Sequence, residues 1–387
     1  MPNPIYAAMP TTIFTVMSGL ARETGAINLG QGFPDEPGPR AIRQKAAEAV
    51  LDGYNQYPPM PGLPELREAV AAHYARFQGL DLDWRKEITV TSGATEALAC
   101  AFLALIEPGD EVAVFAPTYD AYLPMIRRAG GVPRVVRLAP PLWRFDRAML
   151  EAAFNARTRL VVLNNPLNPT ASVCPPEDLS LLAEFCVRFD AIAVCDEVWE
   201  QVVFDGTLHT PLMGLPGMRE RTVKIGSAGK LFALTGWKVG WLCAAPALSD
   251  VLSKGHQFLT FTTPPNLQTA VAWGLANSDD WFAAMPGDLA RSRDRLASAL
   301  RAEGFAVLQS QGAYFLNVDL DASGVRESDA DFCMRAVREA GVAAIPLSAF
   351  YETDAVTTII RLCFAKRDGT LDEGARRLAK ARALSVA

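Results

Sequence analysis

The sequence predicts an α/β protein: a three-layer α/β/α larger domain with a mostly parallel sheet, joined to a smaller α+β domain. Three observations carry this. Short apolar runs alternate with helix-period segments through the middle of the chain. Those runs are almost continuous in Val, Ile, Ala and Leu, as suits parallel strands buried on both faces. At 387 residues, the chain also exceeds what a single small core serves.

The elements follow in order. "EITVTSG" reads as a strand and "ATEALACAFLALI" as the helix after it. "DEVAVFAPTYD" and "AYLPMIRRAG" repeat the pair. "TRLVVLNNPLNPT" is a strand and turn, followed by the helix "PEDLSLLAEFCVRFD". "AIAVCDEVWE" and "TVKIGSAGK" are two further strands. This repetition places the larger domain at roughly residues 45–280. Beyond it, "RSRDRLASALRAEGF" reads as a helix, and "AVLQSQGAYFLNVDL" and "TTIIRLCFAK" read as strands. The segment between those strands, "ADFCMRAVREAGV", reads as a helix. The smaller domain is assigned residues 1–44 and 281–387.

Composition excludes several functions. The net charge is −6, with no basic patch or tail, so nucleic acid is not an expected partner. No apolar run approaches the ~18 residues that would span a membrane. The start, MPNPIYAAMPTTIF, has no charged segment leading into an apolar one, so no signal peptide is expected. The seven cysteines are scattered and never form a CxxC pair, which fits reduced thiols in a cytoplasmic protein. The three histidines form no HxxxH or Cys/His cluster, so no metal site is expected. With so few histidines, chemistry near neutral pH needs another base or a cofactor.

In a parallel α/β sheet, ligands bind beyond the carboxyl ends of the strands. The unusual residues collect there. "TVTSGATEAL" puts the backbone N–H groups of Gly93, Ala94 and Thr95 at a helix N-terminus, where a phosphate is favoured; the same turn also reads as plain geometry. "VVLNNPLNPT" ends a strand on Asn and Pro, a turn composition that leaves Asn168 at the strand end. "AIAVCDEVWE" runs from small apolar residues straight into Asp196 and Glu197. A carboxylate there needs a cation or donors: either an internal salt bridge or a cationic ring nitrogen satisfies it. In "KIGSAGKLFALTGWKVGW", Lys230 follows a strand of the same sheet. A lone lysine usually sits at the surface, but a desolvated, neutral amine forms an imine with an aldehyde. A phosphate cradle, a carboxylate, an asparagine and a lysine on one edge suit pyridoxal phosphate. No GxGxxG follows a strand, which disfavours a dinucleotide-binding oxidoreductase. The short N-terminal segment leaves no room for the DNA-binding domain of a cofactor-sensing regulator.

These residues resemble the class I aminotransferases, pyridoxal-phosphate enzymes of fold type I. The likeness is closest to the branch of kynurenine aminotransferase, glutamine transaminase K, cysteine-conjugate β-lyase and bacterial methionine aminotransferase. It runs from about Phe14 to Lys366 through the blocks "INLGQGFPD", "NQYPPMPGLPELREAVA", "VTSGATEAL", "NNPLNPT", "CDEVWEQVVFDG", "GSAGKLFALTGWKVGW", "QGAYFL", "AIPLSAFY" and "IRLCFAK".

The resemblance implies roles. Lys230 is the covalent anchor of the cofactor and the catalytic base. Asp196 pairs with the ring N–H, Asn168 bonds the phenolic oxygen and Tyr119 stacks on the ring. Ser227 and Lys238 grip the phosphate with Gly93, Ala94 and Thr95. Tyr57 reaches the phosphate from a partner subunit, which implies a homodimer. Arg361, aided by the amide of Gly32, clamps the substrate α-carboxylate. Phe14, Phe33 and Phe350 match positions that shape the side-chain pocket, and each also reads as core packing.

Two departures stand out. Trp199 replaces the usual Tyr after "DEV", and its indole N–H donates but cannot accept a hydrogen bond. Ala171 replaces the usual Gly after "NPT". The implied activity is ping-pong transfer of an amino group from a large, apolar or aromatic amino acid to a 2-oxo acid, with methionine, glutamine, phenylalanine or kynurenine as donor. β-Elimination from cysteine conjugates on the same cofactor is the alternative.

Overall fold

The computed structural model describes residues 2–386. Seven strands form the main sheet, in the order Ile88–Thr91, Gly240–Cys243, Thr222–Ser227, Ile192–Asp196, Thr158–Asn164, Glu111–Ala116 and Val132–Arg137. All run in one direction except Gly240–Cys243, which is antiparallel to both neighbours. Every residue of Ile192–Asp196 and Glu111–Ala116 is buried, as continuous apolar runs require.

Two of these strands, Val132–Arg137 and Gly240–Cys243, are absent from the strands expected from sequence. Val132–Arg137 is an edge strand, mostly exposed, and its sequence VPRVVR carries a proline and two arginines instead of an apolar run. Gly240–Cys243 has only four residues and follows the Lys-bearing loop without a break in pattern.

A second, four-stranded antiparallel sheet has the order Ile345–Pro346, Ile359–Cys363, Phe315–Asp319, Ala306–Val307. The stretch expected as one strand, 306–320, is therefore two short strands. Between them the chain turns aside, with the amides of Gln311 and Gly312 bonding the Ala171 carbonyl. The expected helix after residue 329 is α-helical over Asp329–Arg335 and π-helical over Ala336–Ala340. Its start is capped by Ser328 and its end by Gly341 at φ 76°.

The N-terminal segment is stitched to this second sheet. Ile27–Asn28 pairs in parallel with Val342–Ala343, and the Leu29 carbonyl accepts from the Cys363 amide at 2.6 Å. Helix Asp279–Ala302 leads from the first sheet's layer to the second sheet and packs against Asp368–Val386. No described helix is long and apolar enough to cross a membrane.

The topology fixes where polar groups gather. Thr91, Asn164, Asp196 and Ser227 all end parallel strands at one edge. Because Gly240–Cys243 runs the other way, its beginning lies at that edge too, with Gly240 opposite both Thr91 and Ser227. Lys238 arrives there for this reason. Gly240 must be glycine: an added Cβ would lie 2.8 Å from the Gly93 carbonyl carbon and 2.9 Å from the Ala94 nitrogen.

Candidate active site

At this edge a cavity of about 380 Å³ opens between the two sheets. Its wall contains Lys230, Asp196, Asn168, Tyr119, Trp199, Gly93, Ala94, Thr95, Ser227, Lys238, Arg361, Gly32, Phe14 and Phe33. These come from segments more than 300 residues apart, brought together by the strand ends and by the stitching of the N-terminal segment.

Lys230 sits in the short helix Ala228–Leu231, directly after the Thr222–Ser227 strand. Its Nζ donates to the Tyr314 hydroxyl at 3.3 Å and lies 4.6 Å from the Trp199 ring centre. Desolvation pushes the amine down to about 8, with the nearby Arg361 and Lys238 charges adding to the effect. Lys230 is therefore neutral far more often near physiological pH than a surface lysine.

Asp196 and Glu197 are adjacent but do different things. Glu197 is paired with buried Lys224 and with His209, and Lys224 also donates to Glu200. Glu197, Glu200 and His209 converge closely enough to hold a cation, and the Lys224 ammonium supplies it. Burial alone raises the Glu197 carboxyl, but Lys224 and His209 outweigh it and hold the group down to about 2. Asp196 has no such cation. Its Oδ2 accepts from the Tyr122 hydroxyl at 2.6 Å, and its Oδ1 is buried without a partner. Desolvation raises its carboxyl, and the Tyr122 bond opposes that.

The turn after the Thr158–Asn164 strand is held by Asn164. Its Nδ2 donates to the Asp196 carbonyl at 2.8 Å, and its Oδ1 accepts from the Asn168 amide at 2.8 Å. Asn168 Oδ1 in turn accepts from Arg361 Nη1 at 2.7 Å. Ala171, where glycine is usual, sits at φ 61°, the left-handed region.

Arg361 comes from the Ile359–Cys363 strand and is buried. Its Nη2 donates to the Gly30 carbonyl at 3.0 Å, while its Nε has no partner. Phe315, Phe350 and Phe14 surround the guanidinium at 4.0, 5.1 and 5.3 Å from their ring centres. Burial lowers its pKa to about 10, so it stays charged at neutral pH.

The anion cradle is built on backbone. Gly93, at φ 78°, starts helix Ala94–Leu105, and an added Cβ would lie 3.1 Å from Lys238 Cε. Absence of a side chain lets the Lys238 ammonium approach the helix N-terminus, where dipole and amides favour negative charge.

Of the residues expected from sequence, Phe350 departs from its expected place. Tyr57 lies outside its own subunit's cavity, 79% exposed and edge-on to Phe261, a position open to the partner-subunit role expected of it. Phe350 does not line the cavity; it is buried behind Arg361 and braces it edge-on with Phe14. Besides the amide expected to aid Arg361, Gly32 contributes its carbonyl, which accepts from the Tyr314 hydroxyl at 2.6 Å, and close packing: an added Cβ would lie 2.9 Å from Phe315 Cζ. Sequence reasoning also missed Tyr122, Asn164, Tyr314 and Phe315. For Asn164, the strand-end position beside Asn168 was the available signal. The others gave none, because their partners are distant in sequence.

The profile of the family described as aminotransferase class I and II matches residues 24–378. The chain belongs to the class I and II aminotransferases. It is 44% identical over 379 residues to the probable N-succinyldiaminopimelate aminotransferase DapC of Mycobacterium tuberculosis, covering 95% of each chain. A solved structure of N-succinyldiaminopimelate aminotransferase from that organism superimposes with a TM-score of 0.95 at 43% identity, over 98% of this chain and 100% of the other. The methionine aminotransferase of Escherichia coli is 42% identical, covering 98% of each chain. Kynurenine–oxoglutarate transaminase 1 of Homo sapiens is 35% identical, covering 93% of each.

This aminotransferase is thus a fold type I enzyme that uses pyridoxal 5'-phosphate with amino acid and 2-oxo acid substrates. The residues present fit the cofactor. A buried carboxylate oxygen without a partner, a low-pKa amine and an amide-rich anion cradle beside Lys238 are the three groups its ring nitrogen, aldehyde and phosphate require.

Proposed function

We propose that this aminotransferase takes its amino group from large, neutral amino acids of the methionine, glutamine, phenylalanine or kynurenine type. It passes the group to a 2-oxo acid in two alternating half-reactions. One observation carries the donor class. Among the described residues, the cavity wall holds three cations, Lys230, Lys238 and Arg361, and each has a task. The aldehyde takes the first, the phosphate the second and the α-carboxylate the third. Within the subunit's own wall, no cation remains for a carboxylate further along a donor's side chain. The apolar part of the wall, Phe14, Phe33, Leu98, Tyr119, Val198, Trp199 and Phe315, suits an apolar chain, with Gln31 and Thr235 as its uncharged polar members. The name of the E. coli relative, a methionine aminotransferase, agrees. N-succinyldiaminopimelate, in the name of the other bacterial relative, carries more carboxylates than this wall neutralises.

When bound, pyridoxal phosphate supplies an aldehyde for amines and a ring that withdraws electrons from the substrate Cα. The protein does the rest. Lys238, Ser227 and the amides of Gly93 to Thr95 would hold the phosphate. Asp196 would hold positive charge at the ring nitrogen, and Asn168 would bond the phenolic oxygen. The Arg361 fork orients the α-carboxylate. Lys230 Nζ, once unprotonated, would be the base that takes the proton from the substrate Cα. Tyr119 and Trp199 exclude water from the ring. Exposed Leu51, Tyr54, Tyr57 and Phe258 offer an apolar face for a second copy, which would place Tyr57 at that copy's phosphate. Seven unpaired cysteines suit the reducing cytoplasm.

The test is a donor panel against several 2-oxo acids with cofactor-loaded protein. Methionine and phenylalanine should exceed aspartate and glutamate in kcat/KM by at least roughly tenfold. Leading activity on diacid donors would sink the donor assignment. Donor alone should release one oxo acid per subunit; a donor that reacts only with acceptor present would sink the alternating scheme.

A further inference from the structure

Two neighbouring carboxylates close the Ile192–Asp196 strand, and only one of them meets a cation. Glu197 is neutralised by Lys224. Asp196 sits in the same buried layer, where its one side-chain partner is the Tyr122 hydroxyl on Oδ2, with a weaker contribution from the Val198 backbone amide. Tyr122 begins helix Tyr122–Arg128, is itself buried and packs edge-on at 5.6 Å against Tyr119 of the cavity wall. A phenol has one proton to donate, and here it is committed to one oxygen of one carboxylate.

We infer that Tyr122 is a positioning residue for Asp196, occupying Oδ2 so that Oδ1 alone faces the cofactor's ring nitrogen and the carboxylate stays ionised there. This rests on the cofactor role given above to Asp196. The physical argument has two parts. A hydrogen bond to one oxygen opposes rotation of the carboxylate and so favours one direction for the free lone pairs. And in a desolvated site an ion pair competes with its neutral form, in which the proton has moved from the ring nitrogen to the carboxylate. A hydrogen bond donated to the carboxylate stabilises the ionised form and so keeps the proton on the ring. Desolvation is the largest influence raising the Asp196 carboxyl, and the Tyr122 bond is the largest opposing one.

The experiment uses Tyr122→Phe in the cofactor-loaded protein with pyridoxal phosphate labelled with ¹⁵N in its ring. Wild-type protein should show a protonated ring nitrogen, and the variant should shift toward the neutral signal. Its kcat should fall on the order of tenfold with KM nearly unchanged. In an Asp196→Asn background, Tyr122→Phe should cost less than about twofold, because its route is gone. A protonated signal unmoved by Tyr122→Phe, or equal losses in both backgrounds, would overturn the inference and leave Tyr122 a packing residue. A neutral nitrogen in the wild-type protein would overturn the Asp196 role itself. Should the single variant fold poorly, 3-fluorotyrosine placed at 122 keeps the ring and strengthens the donor. It should hold the ring protonated to higher pH, and an unchanged profile would refute the proposal.

Discussion

Replacing Arg361 with lysine tests the carboxylate clamp. In the structure the guanidinium spends two N–H groups on protein: Nη1 on Asn168 Oδ1 at 2.7 Å and Nη2 on the Gly30 carbonyl at 3.0 Å. Nε, buried and unpartnered, and the remaining Nη hydrogens are left for a substrate. Lysine keeps the charge but offers three donors from one point. If two replace the contacts to Asn168 and Gly30, one remains for the carboxylate. Losing one charge-assisted hydrogen bond removes about 1.5–3 kcal/mol, roughly a 10- to 150-fold loss in kcat/KM. The loss should fall on KM, since the carboxylate is held equally before and during reaction. The assay compares methionine with 3-methylthiopropylamine, the same donor without its carboxylate. The amine should be indifferent to Arg361→Lys. An unchanged KM for methionine, or an equal loss with the amine, would refute the clamp. Arg361 stays charged well above neutrality, so its effect should be flat from pH 6 to 8.

Lys230 titrates near 8 in the cofactor-free protein, so capture of the aldehyde should rise with pH and level off above 8, whereas a midpoint near 10 would refute its desolvation. The unfolded chain binds the Lys230 proton more tightly than the fold does. Stability should therefore rise with pH between about 8 and 10.4, and Lys230→Met should remove that slope. Lys224→Met strands the carboxylates of Glu197 and Glu200 in the interior and should cost about 3–5 kcal/mol in urea unfolding, partly recovered by adding Glu200→Gln. A loss under about 1 kcal/mol would show that the pair carries little of the fold's stability.

What could be read from sequence were residues whose place follows from the sheet. Asp196, Asn168, Lys230 and the turn at Gly93 stand at the ends of apolar runs, and parallel strands must deliver their ends to one edge. Lys238 was legible only through resemblance, because its delivery depends on an antiparallel strand too short to show a pattern. Tyr122 and Tyr314 were illegible: an aromatic on an apolar helix face or strand looks like core until its hydroxyl partner is known. Glu197 and Asp196 looked interchangeable. Lys224, buried 27 residues further on, separates them. Phe350 matched a pocket position, yet Arg361 lies between it and the cavity, an order that no linear pattern encodes.

Arg361, Asn168, Asn164 and the Asp196 carbonyl form one unbroken relay of hydrogen bonds from the second sheet to the first. Such a relay makes the grip on the incoming molecule and the seat of the ring mechanically inseparable. Anyone redesigning donor preference at its upstream end would disturb the ring's seating as well. Phe33 and Gln31 border the cavity without belonging to the relay, and they are where new preferences can be written at least expense to turnover.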